Sequence, residues 1–204
     1  MPLSGGRHWP KVRGCCCRTR SVLVFGKELF DEVVRLVVPE KSMGNAAAKD
    51  LYGPHVDYVN SRLTHALYMT GRVLRAEGYK ALPLPASGTP VDGRFLRGIL
   101  SFKHAAEAAG LGRIGRSSLL ITDAFGPRVR LACLLTTAEL PSTARALADR
   151  CADCGVCIES CPAGAITAPP SGQPYAINRA ACNQYCGASG GCSNCMSLCP
   201  AGAA

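Results

Sequence analysis

The chain has 204 residues, of which 48% are hydrophobic, and a formal net charge of +9. This length suits one domain or a domain with a small appendage, and 22 glycines with 14 prolines argue against a long helical protein. No apolar run approaches the ~18 residues that a membrane-spanning helix needs, so we expect no membrane partner.

Residues 1–20 are basic, and we expect a disordered N-terminal segment there. Its run Cys15-Cys16-Cys17 predicts no metal site, because adjacent cysteines cannot easily chelate one tetrahedral metal. The segment has no adjacent arginine pair, and the apolar residues 22–25 after it are too few for the core of a signal peptide. We therefore expect a cytoplasmic protein, in which thirteen cysteines indicate metal binding rather than disulfides.

Residues 21–140 show the hydrophobic periodicity of a mixed α+β domain. The long segment 55–77 predicts a helix with an apolar stripe from Val56 to Leu74, and Gly78 fits its C-terminal cap. Cys133 lies within an apolar strand pattern and is expected to be a buried small hydrophobe. In chain order, the predicted elements are a strand at 21–25, helices at 27–38 and 55–77, a strand at 79–84, a helix at 101–109, and strands at 118–122 and 129–136.

The segment Gly110-Leu-Gly112-Arg-Ile-Gly115 matches the G-x-G-x-x-G fingerprint of dinucleotide-binding proteins. In such sites the glycines follow a strand and open a helix. Here they follow a predicted helix and lead into a predicted strand. The order of elements is reversed, so we do not expect a dinucleotide site.

Residues 141–204 form a second predicted domain, which opens with a short, partly helical connection and contains the run Cys151-x-x-Cys154-x-x-Cys157-x-x-x-Cys161-Pro162. This is the spacing of bacterial [4Fe–4S] ferredoxins. Two-residue gaps let a tight loop reach three corners of one cluster, and the fourth cysteine turns toward a second cluster. Zinc is the alternative that this spacing leaves open.

A second run repeats the first 38 residues later as Cys192-x-x-Cys195-x-x-x-Cys199-Pro200. Ser189 occupies the position that corresponds to Cys151, so the missing thiolate must come from Cys182 or Cys186. In two-cluster ferredoxins each run gives its last cysteine to the other cluster. The predicted ligands are Cys151, Cys154, Cys157 and Cys199 for the first cluster, and Cys161, Cys192, Cys195 and either Cys182 or Cys186 for the second.

The segment Ala108-Ala-Gly-Leu-Gly-Arg-Ile-Gly-Arg116, with Leu119-Leu-Ile-Thr122, Phe125-Gly-Pro127 and Leu134-Leu-Thr136, resembles epoxyqueuosine reductases and corrinoid reductive dehalogenases. The resemblance implies a nitroreductase-like α/β sandwich followed by a small ferredoxin-like dicluster domain. It also implies cobalamin as a further cofactor. In these families the second cysteine run has a stretched first gap, which favours Cys182 over Cys186 as the ligand.

Three functions remain open from the sequence. The first is an oxidoreductase that passes electrons from a donor such as a ferredoxin or flavodoxin, through two [4Fe–4S] clusters, to a cofactor or small-molecule substrate. Its acid could be Asp92, Asp123 or Tyr79, none of which is singled out. The second is a non-catalytic ferredoxin-type carrier, and the third is a redox sensor.

The net charge of +9 does not by itself indicate a nucleic-acid partner. Two clusters of about −2 each, thiolates included, would lower it to about +5. Basic residues beside the cysteine runs could instead dock an acidic electron donor. The candidates for such contacts are Arg145, Arg150 and Arg179.

Overall fold

A computed structural model describes residues 19–38, 50–87, 91–92, 97–145, 147–173 and 175–202. The elements of its first part are β1 (Ser21–Glu28), α1 (Asp31–Val34) with a 3-10 turn (Arg35–Val37), α2 (Tyr52–Ala76), β2 (Ala81–Leu84), β3 (Val91–Asp92), β4 (Arg97–Gly98), α3 (Phe102–Ala108), β5 (Arg113–Ile114), β6 (Leu120–Ile121) and β7 (Val129–Thr136). The mixed α/β class expected from the sequence is confirmed.

A three-stranded antiparallel sheet, in the order β1-β7-β2, organises this part of the chain. β1 pairs with β7 along its whole length, from Ser21 opposite Thr136 to Glu28 opposite Val129. β2 lies on the other side of β7, with Leu84 opposite Cys133. Three pairs of two-residue strands complete the described sheets: β3 with β4, β5 with β6, and, in the cysteine-rich part, β8 (Ile166–Thr167) with β9 (Ala176–Ile177).

Helices pack on both faces of this sheet. Alternate residues of β7 point toward opposite faces, so each face contributes its own set of apolar side chains. Ala132 and Leu134 are fully buried against α2, which presents Leu63 and Leu67. On the other face, Cys133 and Leu135 pack with Leu84 of β2 and Ala105 of α3. Cys133 is therefore the buried apolar residue that the sequence predicted, and burial raises the pKa of its thiol to about 12.

The sequence misplaced the first helix. Lys27 and Glu28, predicted to begin the helix, are instead the last residues of β1 and pair with β7. Only a single helical turn follows, at α1. Phe30, within the predicted helix, instead precedes α1 and is 55% exposed. The long helix is confirmed as α2, and Gly78 follows its end with φ of 84°, although Val73 is exposed rather than part of the buried stripe.

The cysteine-rich part consists of short elements connected by loops. The connection before it, expected to be partly helical, contains no helix among its described residues 141–145 and 147–150. The following elements are α4 (Val156–Glu159), β8 (Ile166–Thr167), β9 (Ala176–Ile177), α5 (Arg179–Ala188) and α6 (Asn194–Ser197). No helix in the described ranges combines the length and apolarity needed to cross a membrane. The basic segment 1–18 and the run Cys15–Cys17 lie outside the described residues.

Candidate metal centres

The first cysteine group gathers Cys157 with Cys151, Cys154 and Cys199. Burial, together with the negative charges of the other three thiolates, raises the pKa of the Cys157 thiol to about 11. Burial also raises the pKa of Cys199, to which Cys151 and Cys154 add. The distant Cys199 is thus a close neighbour of the first run, as the exchange of last cysteines predicts.

The second group surrounds Cys195. Burial raises the pKa of its thiol to about 12, and the thiolates of Cys192, Cys182 and Cys161 contribute. Cys157 also acts on Cys195, so the two groups lie side by side. The predicted ligands of the second cluster are therefore brought together from both runs.

Helix α5 explains why both Cys182 and Cys186 reach this second group. They are four residues apart on one helix and hence face the same side. Asn178 caps the start of the helix, its side chain accepting a hydrogen bond from the Ala181 N–H at 3.1 Å. Burial, followed by the charge of Cys182, raises the pKa of Cys186 to about 11. The cysteine spacing alone did not predict this helix, although Asn178 is a typical N-cap residue.

Ser189, which occupies the position of a ligand in the repeat, is engaged elsewhere. Its hydroxyl oxygen lies 2.8 Å from the carbonyl oxygens of both Tyr185 and Gly191, and its single hydrogen can be donated to either. These contacts close the turn that follows α5. The serine therefore shapes the path between Cys186 and Cys192.

The donor chemistry of both groups fits iron–sulfur clusters. Burial and mutual repulsion keep such thiols protonated, and bound iron supplies the positive charge that lets them ionise. A backbone N–H, that of Ala165, donates to the Cys161 sulfur at 3.3 Å, as the loops around clusters commonly do. In the described ranges no three His, Cys, Asp or Glu side chains are close enough to hold a single metal ion.

A cleft of about 470 Å³ opens between the α/β part and the cysteine-rich part. His104, Glu107 and Ile114 line it on one side, and the β8–β9 hairpin and the start of α5 line it on the other. Arg179 belongs to this lining and lies three residues before Cys182. The cleft therefore reaches the helix that carries two cysteines of the second group.

Lys103 stands beside this cleft. Its Nζ lies 4.1 Å from the centre of the Tyr175 ring and donates to the Ser118 carbonyl oxygen at 2.9 Å and to the Ser118 hydroxyl. Burial lowers the pKa of Lys103. The lysine thus connects α3, the β5–β6 turn and the β8–β9 hairpin.

The residues considered as acids are less distinctive. Asp123 forms ion pairs with Arg150 at 3.1 Å and Arg145 at 3.5 Å, which makes it a surface turn residue with structural partners. The same pairs occupy two of the arginines considered for donor docking. Tyr79 is 45% exposed at the end of α2. Asp92 lies in β3, and its side chain falls outside the described atoms.

The glycine fingerprint is confirmed as part of a helix-to-strand connection. Gly110, with φ of 79°, follows the C-terminus of α3, and Arg113–Ile114 form β5. Gly112 and Gly115 allow close packing, since a β-carbon on Gly115 would lie 2.9 Å from the Cys151 sulfur. Gly115, the third glycine of the motif, therefore leaves room for the sulfur of Cys151 in the first cysteine group.

A 4Fe-4S binding domain matches residues 147–167. The tetrachloroethene reductive dehalogenase of Desulfitobacterium hafniense is 29% identical over 94% of this chain and 34% of its own length. That of Dehalobacter restrictus is 33% identical over 78% of the chain and 25% of its length. The epoxyqueuosine reductase of Synechococcus sp. (strain RCC307) is 46% identical over 33% of the chain and 21% of its length.

Solved structures of both types share the fold. A catabolic reductive dehalogenase covers 90% of this chain with a TM-score of 0.69 at 18% identity, and the chain covers 26% of it. An epoxyqueuosine reductase covers 70% with a TM-score of 0.54 at 22% identity, and the chain covers 39% of it. The chain therefore contains a 4Fe-4S binding domain within a fold common to both kinds of reductase, and it spans between 25% and 34% of the length of the curated dehalogenases named above.

Proposed function

We propose that this chain is the iron–sulfur part of a reductase of the epoxyqueuosine reductase and reductive dehalogenase type. The observation that carries the proposal is the repeated cysteine run, whose thiols fall into two neighbouring groups, each drawing a cysteine from the other run. When bound, two [4Fe–4S] clusters would supply one-electron transfer. The named relatives support the reductase type.

The proposed ligands follow the two groups. Cys151, Cys154, Cys157 and Cys199 would hold the first cluster, and Cys161, Cys182, Cys192 and Cys195 the second. Cys182 is preferred over Cys186 because the charge of Cys182, and not that of Cys186, is among those that raise the pKa of Cys195.

The cleft beside α5 is the proposed place for the electron acceptor. Its volume of about 470 Å³ lies in the range of small-molecule sites. Arg179 and His104 would favour an anionic group on their side of the cleft, and the carboxylate of Glu107 would oppose one on its own side. A cobalamin would have to extend beyond this cleft onto the neighbouring surface. We propose that a ferredoxin or flavodoxin supplies the electrons and that the protein works in the cytoplasm, where its thiols stay reduced.

Cofactor analysis of anaerobically purified protein tests the proposal. We expect about eight iron and eight sulfide per chain, and corrinoid absorption bands when cobalamin is added before purification. A zinc-loaded protein that takes up no iron on anaerobic reconstitution would refute the iron–sulfur assignment. Intact clusters without retained corrinoid would refute the cobalamin part and favour a non-catalytic ferredoxin-type carrier.

A further inference from the structure

Two arginines of the α/β part reach the backbone of the cysteine runs. Arg116, just after β5, donates from Nη1 to the Cys154 carbonyl at 2.6 Å and from Nη2 to the Ala152 carbonyl at 2.7 Å. Both nitrogens of one rigid fork thus hold the loop between the first two cysteines. Arg116 thereby attaches this loop to the β5–β6 turn.

Arg128 does the same for the second run. Its side chain, 5% exposed, donates to the carbonyl oxygens of Cys199 at 3.3 Å, Met196 at 3.2 Å and Ala201 at 2.9 Å. Its Nε lies 3.6 Å from Asp31 Oδ1, which anchors the guanidinium on α1. A buried cation with three carbonyl partners fixes the segment that delivers Cys199.

The contacts of Arg116, and those of Arg128 to Cys199 and Ala201, converge on the first cysteine group, whereas the Met196 carbonyl that Arg128 also binds lies next to Cys195 of the second group. Arg116 holds the segment of Cys151 and Cys154, and Arg128 holds the segment of Cys199, although the two segments are far apart in the sequence. We propose that Arg116 and Arg128 are positioning residues that assemble the first cluster from both runs. The inference rests on the proposed function, since it assumes that the first group binds a cluster.

The second group has a different attachment, which offers a contrasting variant. Ser193, next to Cys192 and 2% exposed, donates from its hydroxyl to the Val34 carbonyl at 2.7 Å, and its N–H donates to the Val37 carbonyl at 3.2 Å. This serine fastens the start of α6 to the 3-10 turn. Its loss should loosen Cys192 without touching either arginine.

Charge and geometry can be separated by the choice of substitution. Arg116→Lys keeps a positive charge but loses the planar fork that reaches two carbonyls. Arg116→Gln loses both. A cation near a cluster stabilises its reduced form, so loss of charge should lower the reduction potential of the first cluster, whereas loss of the fork should reduce its retention.

The effect of charge should be larger at Arg116 than at Arg128. The carboxylate of Asp31 lies 3.6 Å from Arg128 and offsets part of its field, although Asp31 is shared with Arg35, whose Nε lies 2.5 Å from Oδ2. Among the described residues, Arg116 has no carboxylate within ion-pair distance. The guanidinium of Arg116 therefore acts on the cluster without a nearby counter-charge.

The test compares Arg116→Gln, Arg116→Lys, Arg128→Gln, Ser193→Ala and the exposed α2 control Arg72→Gln, all purified anaerobically. Iron and sulfide content, the electron paramagnetic resonance spectrum of the reduced protein and the midpoint potential of each cluster are measured, and circular dichroism checks folding. We expect Arg116→Gln and Arg128→Gln to lose about half the iron and the signal of the first cluster. Any first cluster that Arg116→Gln retains should have a lowered potential, and Arg116→Lys should retain iron poorly at a potential close to that of the wild type.

Ser193→Ala should instead lose the second cluster, and Arg72→Gln should match the wild type. Folded arginine variants with full iron and unchanged potentials would overturn the inference, as would equal loss of both clusters in Arg116→Gln and Ser193→Ala. If Arg128→Gln fails to fold, Arg116→Gln and Arg116→Lys still decide the outcome, because Arg116 lies in a half-buried turn outside the core. A wild-type protein without iron would refute the proposed function itself and is recognised before any variant is compared.

Discussion

Gly126 and Ala201 approach so closely that a β-carbon on the glycine would lie 1.9 Å from the alanine carbonyl oxygen. Gly126 has φ of 53° in the turn before β7, and Ala201 follows the last cysteine and its proline. Backbone therefore packs directly on backbone where the end of the second run meets the α/β part. No side chain larger than hydrogen fits this contact.

Gly126→Ala should destabilise the protein and release iron, because it adds both a strained φ and a backbone clash. Gly164→Ala is a matched control, as Gly164 has φ of 55° but nothing within 4 Å of its added β-carbon. We expect the control to cost about 1–2 kcal/mol and Gly126→Ala to cost clearly more. Chemical denaturation and iron analysis measure the difference. Equal costs would show that the close approach has no energetic weight.

The two cysteines of α5 should respond differently to substitution. Cys182→Ser should lose the second cluster, since the charge of Cys182, unlike that of Cys186, is among those that act on Cys195. Cys186→Ser should retain the full iron content. Absorbance near the cluster bands and iron content distinguish the variants, and the reverse pattern would make Cys186 the ligand.

The contact between α2 and the sheet should dominate the stability of the α/β part. Leu67 is fully buried, so Leu67→Ala should cost about 2–5 kcal/mol through lost burial and a cavity. Its neighbour Tyr68 is 60% exposed, and Tyr68→Ala should change the free energy of unfolding by about 0.5 kcal/mol or less. Urea unfolding of both variants gives the comparison. A large effect at Tyr68 would mean that this face of α2 is covered in solution.

Lys103 should make stability depend on alkaline pH. Burial lowers its pKa below the ordinary value of 10.5, with Arg179 acting in the same direction and Tyr175 and Glu107 opposing. The unfolded state therefore binds more protons between the lowered pKa and 10.5, and stability rises with pH across that interval. Lys103→Met lacks this titration. As pH rises through this interval, the unfolding free energy of the wild type should increase relative to that of Lys103→Met. A difference that stays constant with pH would contradict the assignment.

Periodicity predicted the elements that are long and continuously apolar. The strand at 129–136 has the predicted bounds as β7, and the predicted helix at 55–77 corresponds to α2 at Tyr52–Ala76. The first helix failed because Lys27 and Glu28 resemble the polar start of a helix, while their backbone pairs with Arg130 and Val129. Pairing with a distant strand leaves no local mark in the sequence.

The cysteine repeat predicted the two thiol groups better than the surroundings that hold them. Spacing alone places the last cysteine of each run beside the other run. Nothing local distinguishes Arg116 and Arg128 from other arginines, because their partners are carbonyl oxygens of residues distant in sequence. The helix that carries Cys182 and Cys186 was not predicted, although three alanines, Arg179 and Gln184 among its ten residues are strong helix formers, because the segment is short and lies between the two cysteine runs.

The position of β7 at the centre of the sheet imposes an order in time. β1 and β2 both pair with β7, so neither edge strand has its described partner until β7 has been synthesised. Every proposed ligand is encoded after β7 and leaves the ribosome within about ten seconds of it. The domain can thus close before the cysteines are complete, and iron would be delivered to a chain whose Arg116, Gly126 and Arg128 are already in place.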